Sequence, residues 1–213
     1  METRKVPEYT LALSADRSNV RDIVKGVLLH KFNQTEAQRI SGILHTIFFH
    51  RVFSVLRPAT HDVLDTTLPY VSEDDVENLI EQKTNAFIRQ VESSTSQQTP
   101  QNQSKPGRGL LVVNFLEKKR RKGWFVAKAE EELVWESWLI DVTIRTARSE
   151  PEAARNRKQM EEQLQDAAMR IVMLVNRDRG HIPPITTTDA NPFPYAILVN
   201  PKNDGWGQKV GIQ

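Results

Sequence analysis

Apolar side chains recur along this chain with periods of about 3.6 and 2 residues, and each change of period marks a boundary between elements. Tyr9 to Leu13 alternates as a strand does. Asp16 or Ser18 then offers an N-cap to a helix whose stripe is Val20, Ile23, Val24, Val27 and Leu28, ending near Phe32. Thr35 and Gln38 form a capping-box pattern that opens a second helix, with Ile40, Ile43, Leu44, Ile47 and Phe48 on its stripe. The stripes are near copies, and both segments close on His then a basic residue, His30-Lys31 and His50-Arg51. Pro58 stops the second helix. Because it contains Pro69, His61 to Tyr70 is expected to be one short edge strand or an extended segment.

Ser72 and Asp75 cap a third helix with Val76, Leu79, Ile80, Phe87 and Val91 on its buried side. Residues 93–109 contain no aliphatic or aromatic side chain. Such a stretch cannot offset its ordering entropy by burial, so a flexible internal loop is expected there. Leu110 to Leu116 is apolar on both faces except at Asn114, the pattern of a strand covered on both sides. Glu132 to Arg145 is its expected antiparallel mate, with Trp138, Ile140, Val142 and Ile144 on one face. Leu133 and Trp135 stand in the opposite phase. A bulge near Glu136 and Ser137 would repair the register, as would a twist or local unpairing. Ser149, Pro151 and Glu152 open the longest helix, to about Asp178, which buries Met160, Leu164, Ala167, Ala168, Ile171 and Val175. Gly180 and Pro183-Pro184 end it. Tyr195 to Val199 is a further strand, and Asn203-Asp204-Gly205 signals a turn toward Trp206 and a last extended piece. The class is α+β, with helices against a mostly antiparallel sheet.

Composition narrows the functions open to this fold. A length of 213 residues suits a single domain, 1–213, with a real core. Lys and Arg total 29 against 27 for Asp and Glu, so the chain as a whole is not a polyanion binder. Cysteine is absent, which removes disulfides, thiolate metal sites and cysteine catalysis. With no apolar run long enough to cross a bilayer, a cytoplasmic protein is expected. No phosphate-binding loop, dinucleotide fingerprint or paired-histidine zinc helix is present. His45 and His50 lie roughly 140° apart around a helix, unsuited to sharing a metal, and read as packed or capping residues. Asp74-Asp75 and Glu130-Glu131-Glu132 fit a helix first turn and a strand entrance better than acid–base chemistry. No catalytic residue, metal or cofactor is expected.

The least ordinary stretch is the basic run Lys118, Lys119, Arg120, Arg121 and Lys122, followed by Gly123, Trp124 and Phe125. Adjacent like charges resist burial, so Trp124 and Phe125 are carried toward solvent on a basic stalk at the hairpin tip. Three readings stand: a solvated tip, a nucleic-acid finger, or a finger that docks on a protein or membrane surface. Tryptophan buries a large area with few rotamers lost, which favours docking. The nucleic-acid reading wants further basic and stacking residues nearby, yet the next charges are Glu130 to Glu132. Trp135 and Trp138, among aliphatics on a strand, belong to the sheet.

Four tracts in order resemble the autophagy-related protein 101 family: Ile43 to Arg51, Phe115 through the basic run to Phe125, Val134-Trp135-Glu136-Ser137-Trp138, and Val175-Asn176-Arg177 before Pro183-Pro184. The resemblance implies a HORMA fold, three helices on an antiparallel sheet. It also implies a non-enzymatic adaptor of the autophagy initiation kinase complex at the phagophore assembly site. Such an adaptor pairs with and stabilises the HORMA domain of autophagy-related protein 13, here through helix 151–178 and nearby strands. In the family an exposed Trp-Phe tip recruits downstream factors, a role that maps onto Trp124 and Phe125. One departure is the doubled N-terminal helix, which makes residues 27–42 an expected insertion. The other is the short chain after Tyr195, which favours dimerisation over peptide trapping. The alternative remains a module that binds nucleic acid or acidic membrane through 118–122.

Overall fold

The computed structural model describes residues 5–16, 25–54, 57–96, 107–120, 130–145, 147, 149–189 and 191–201. The elements in order are β1 (Glu8–Asp16), α1 (Lys25–Arg51), β2 (Pro58–Val63), β3 (Thr66–Val71), α2 (Asp74–Ser96), β4 (Gly107–Arg120), β5 (Glu130–Arg145), α3 (Glu150–Arg177) and β6 (Tyr195–Val199). Four strands form one sheet in the order β1-β5-β4-β6, and β2 with β3 forms a separate hairpin. The α+β class is as expected. The sheet is mixed: β5–β4 and β4–β6 are antiparallel, whereas β1 runs parallel to β5.

α1 lies between the hairpin and the sheet. On one side Gly42 approaches Leu68 so closely that an added Cβ would sit 2.7 Å from its Cδ1. On the other, the Phe48 ring meets Phe115 at 5.5 Å and Tyr195 at 4.9 Å. α2 closes the core over β4, where Phe87 and Val91 occupy the space a side chain at Gly109 would need. α3 covers β1, with Gln163 Oε1 accepting from both Ser14 N (2.8 Å) and Ser14 Oγ (2.7 Å). The apolar stripes of α1, α2 and α3 and one face of the sheet supply the core. Val112, on the other face, is also buried, between its register neighbours Leu139 and Leu198. The exception in that strand, Asn114, accepts from Ser137 Oγ at 2.7 Å.

Three expectations need correction. First, the break near Phe32 to Thr35 does not occur: Lys25–Arg51 is one helix. The intervening Asn33, Gln34 and Thr35 each lose only about half a kcal/mol against better helix formers, less than breaking the hydrogen-bond ladder costs. Within the expected insertion, residues 36–42 are integral to the domain. Buried Arg39 bonds Glu36, the carbonyl of Ser14 (2.9 Å) and the carbonyl of Met160 (3.0 Å), tying α1 to β1 and α3. Second, α2 extends through Ser96 and β4 begins at Gly107, so both elements take residues from the loop expected over 93–109. Third, the expected single segment at 61–70 is a hairpin turning at Leu64, whose φ is 53°. Pro58 and Pro69 are tolerated because a two-stranded ribbon leaves one edge of each strand without a ladder.

Candidate functional site

The β4–β5 hairpin is longer than the sheet that supports it. β6 pairs with β4 only over Leu111–Phe115, and β1 pairs with β5 only from Ser137 onward. Beyond these, Leu116–Arg120 and Glu130–Val134 continue as two strands that pair only with each other among the described residues. The register shifts where this extension begins: Phe115 faces Glu136 and Leu116 faces Val134, leaving Trp135 as the extra residue. This is the bulge that the change of apolar phase anticipated. It allows Trp135 and Trp138, 5% and 0% exposed, both to enter the core.

The expected stalk lies on the extension. Lys118 and Lys119 are exposed on β4, and Arg120 is its last residue. Arg121, Lys122, Trp124 and Phe125 fall outside the described residues. The register supplies a fact hidden in the linear sequence: Lys118, Lys119 and Arg120 stand directly opposite Glu132, Glu131 and Glu130. Lys119 Nζ also lies 3.1 Å from Glu117 Oε1. Carboxylates thus face the described part of the basic run, which lowers its attraction for phosphate.

At the base of the extension is a buried polar centre that periodicity gives no means of finding. The Glu136 carboxylate is fully buried and accepts from Arg51 Nε at 2.7 and 2.9 Å and from Trp138 Nε1 at 2.6 Å. His181 Nε2 lies 2.6 Å from its second oxygen, and against a carboxylate already held by a guanidinium that nitrogen is the donor. Arg51 Nη2 continues to the carbonyl of Asp178 (3.2 Å), the C-cap of α3. Tyr9 Oη donates to the Asp178 carboxylate at 3.0 Å while its ring packs 4.6 Å from Trp138. Burial, followed by that bond, raises the Tyr9 pKa. Arg177, donating to Asp178, holds its carboxyl down at about 2. The one sequence signal was a carboxylate between two tryptophans in an otherwise buried strand.

A second feature lies on the far side of α3 from its buried stripe. On α3 the exposed side opposite Met160, Leu164, Ala167, Ile171 and Val175 carries Met169 and Met173, 62% and 61% exposed and one helical turn apart. Exposed Asp166 and Arg170 flank them.

His45 is a packed histidine, as expected: it stacks 4.0 Å from Tyr70 and its Nδ1 accepts from Val71 N at 3.3 Å. Burial, then the nearby His61, lowers its pKa to about 4. Among the described residues no group of three or more metal-ligating side chains converges, and no helix is long and apolar enough to cross a membrane. A cleft of about 340 Å³ between α1 and the β2–β3 hairpin is lined by Phe49, Pro58, Ala59, Leu68, Pro69 and two threonines, with no titratable group.

The family model of autophagy-related protein 101 matches residues 33–189. The chain belongs to the autophagy-related protein 101 family. Autophagy-related protein 101 of Schizosaccharomyces pombe is 27% identical over 172 residues, covering 80% of this chain and 83% of that protein. The Arabidopsis thaliana protein of the same name is 27% identical over 183 residues, covering 76% of this chain and 79% of its own. The family match spans the bulge, Glu136 with Arg51, Trp138 and His181, and the exposed methionines of α3, whereas Tyr9, β1 and β6 lie outside it. An autophagy-related role follows from that membership.

Proposed function

We propose that the chain is a non-enzymatic HORMA-type adaptor of the autophagy initiation kinase complex, acting in the cytoplasm at the phagophore assembly site. Through α3 it pairs with and stabilises the HORMA domain of autophagy-related protein 13. Through Trp124 and Phe125 at the end of the extended hairpin it recruits downstream autophagy factors. Family membership supports the setting, and Met169 with Met173 carries the partner surface. Two large apolar side chains on the solvent side of an otherwise charged helix lose free energy to water until a partner covers them, and methionine is enriched at interface cores. Lys118 and Lys119, in register with Glu132 and Glu131, act as a solvated stalk rather than a phosphate site, so no specific nucleic acid is a partner.

The test is affinity capture from native extract with three forms of the full chain. Met169→Glu/Met173→Glu is expected to lose the HORMA partner, and Trp124→Ala/Phe125→Ala to lose downstream proteins while keeping that partner. An unchanged set of captured proteins for either variant refutes the corresponding surface. Capture at the tip that collapses as salt rises would instead favour nucleic acid or an acidic membrane bound through 118–122, because counterion release makes phosphate binding steeply salt-dependent.

A further inference from the structure

We propose that Glu136, held by Arg51 and His181, is a positioning centre that fixes the described ribbon of the β4–β5 hairpin, 116–120 and 130–134, to the ends of α1 and α3, so that a ligand on α3 and the order of that ribbon affect one another. The need for an anchor follows from topology. A two-stranded ribbon is marginally stable alone, and from Leu116 and Val134 outward this one has no flanking strand among the described residues. The anchor stands at the point where support ends. Glu136 adjoins the extra residue Trp135 and faces Phe115, its carboxylate is fully buried, and besides Trp138 its donors come from the last residue of α1 and from the segment after α3.

That segment grips the bulge from several directions. His181 reaches the carboxylate, and its ring lies 5.7 Å from Trp135. Farther on, Phe193 packs edge-on to Trp135 at 5.3 Å, and the carbonyl of Pro194 accepts from Leu116 N at 2.7 Å. Arg51 closes the circuit by bonding the carbonyl of Asp178, the residue that caps α3. A displacement of α3 is therefore felt at the bulge through His181 and Arg51 and is passed to Leu116–Arg120 and Glu130–Val134. Coupling of this kind is reciprocal. The ligand clause rests on the function proposed above; the anchoring clause does not.

Amide hydrogen exchange on the full chain separates the two clauses. In the chain alone, His181→Phe keeps a ring beside Trp135 but removes the donor, whereas His181→Gln keeps an N–H donor at about the same reach. His181→Phe is expected to speed exchange at 116–120 and 130–134 by about tenfold or more, the loss of one charge-assisted hydrogen bond, with α2 unchanged and His181→Gln close to wild type. Equal speeding in α2 would show only global destabilisation and overturn the anchor, as would wild-type exchange in His181→Phe. If His181→Gln loosens the hairpin while His181→Phe does not, ring packing holds it and the carboxylate anchor is wrong.

Recombinant HORMA domain of autophagy-related protein 13 is then added. Wild type is expected to gain about fivefold or more protection in the same two segments, and His181→Phe to bind but gain none. A complex without added protection in wild type overturns the coupling. No complex at all removes the proposed partner and the coupling with it, while the lone-chain result still decides the anchor.

Discussion

Arg51→Met isolates the free energy held in the polar centre. The Arg51 and Glu136 side chains are 3% and 0% exposed, and the Nε to carboxylate distances are 2.7 and 2.9 Å. Forming such a pair gains little over well-packed apolar residues, but breaking it strands a charge in a medium that cannot solvate it, at a cost of about 3–5 kcal/mol. Methionine fills much of the volume, so the loss is electrostatic rather than a cavity. Glu136 retains Trp138 and His181 as donors, which places the cost at the lower end of that range. Against a typical stability of roughly 5–15 kcal/mol and a urea slope near 3 kcal/mol per molar, the midpoint should fall by about 1 M or somewhat more. Glu136→Gln should cost a similar amount by stranding the guanidinium. The double variant removes both charges, so it should cost less than the summed singles by about 2 kcal/mol or more. Lys158→Ala is the surface control: its pair with Glu162 spans 3.9 Å between exposed side chains and should contribute no more than about 0.5 kcal/mol. An Arg51→Met cost below about 1 kcal/mol, or singles that add within about 0.5 kcal/mol, would refute the picture of a coupled buried pair.

Two further perturbations probe other parts of the fold. The folded His45 has a pKa near 4 against an ordinary value of 6.5, so the unfolded chain binds the extra proton first; its contribution is full above 6.5 and is lost as pH falls toward 4. His45→Phe keeps a ring on Tyr70 and cannot be protonated, so its urea midpoints across that window should flatten by an amount on the order of 3 kcal/mol, and a slope identical to wild type would refute the assignment. Gly109→Ala places a Cβ 2.5 Å from the Phe87 ring and 2.8 Å from Val91 Cγ2 and should destabilise by about 1–3 kcal/mol, with an unchanged thermal midpoint as the refuting result.

How much of this was legible in the sequence depends on whether the governing interaction is local. α2, α3 and β6 lie close to their expected spans because stripes, caps and turn residues are local signals. Ser149 caps α3 and accepts from Glu152 N, as the Ser-Glu-Pro-Glu start implied. The bulge was legible as one of the ways in which a two-residue period can change phase, and the register selects it over a twist or local unpairing. The continuity of α1 was not, since a capping box at Thr35 satisfies the same donors as an uninterrupted ladder and tertiary packing chooses between them. The parallel pairing of β1 with β5 joins segments more than a hundred residues apart. Glu136 finds Arg51 at a separation of 85 residues and His181 at 45, so neither contact leaves a local pattern. The exposure of Met169 and Met173 was implicit in the helical period, yet methionine there reads as an ordinary helix former until burial is known.

The extended hairpin shows why the charges around it have the signs they do. A ribbon that leaves its sheet must be held by contacts along its own length and by whatever fixes its root. Along its length the described chain places opposed charges in register, Lys118 with Glu132, Lys119 with Glu131 and Arg120 with Glu130, and cross-strand pairs of this kind contribute about 0.2–1 kcal/mol each and are weakened by salt. At its root it supplies the Glu136 centre, which salt screens little because water is excluded. Rising ionic strength should therefore loosen the outer rungs while leaving the bulge in place.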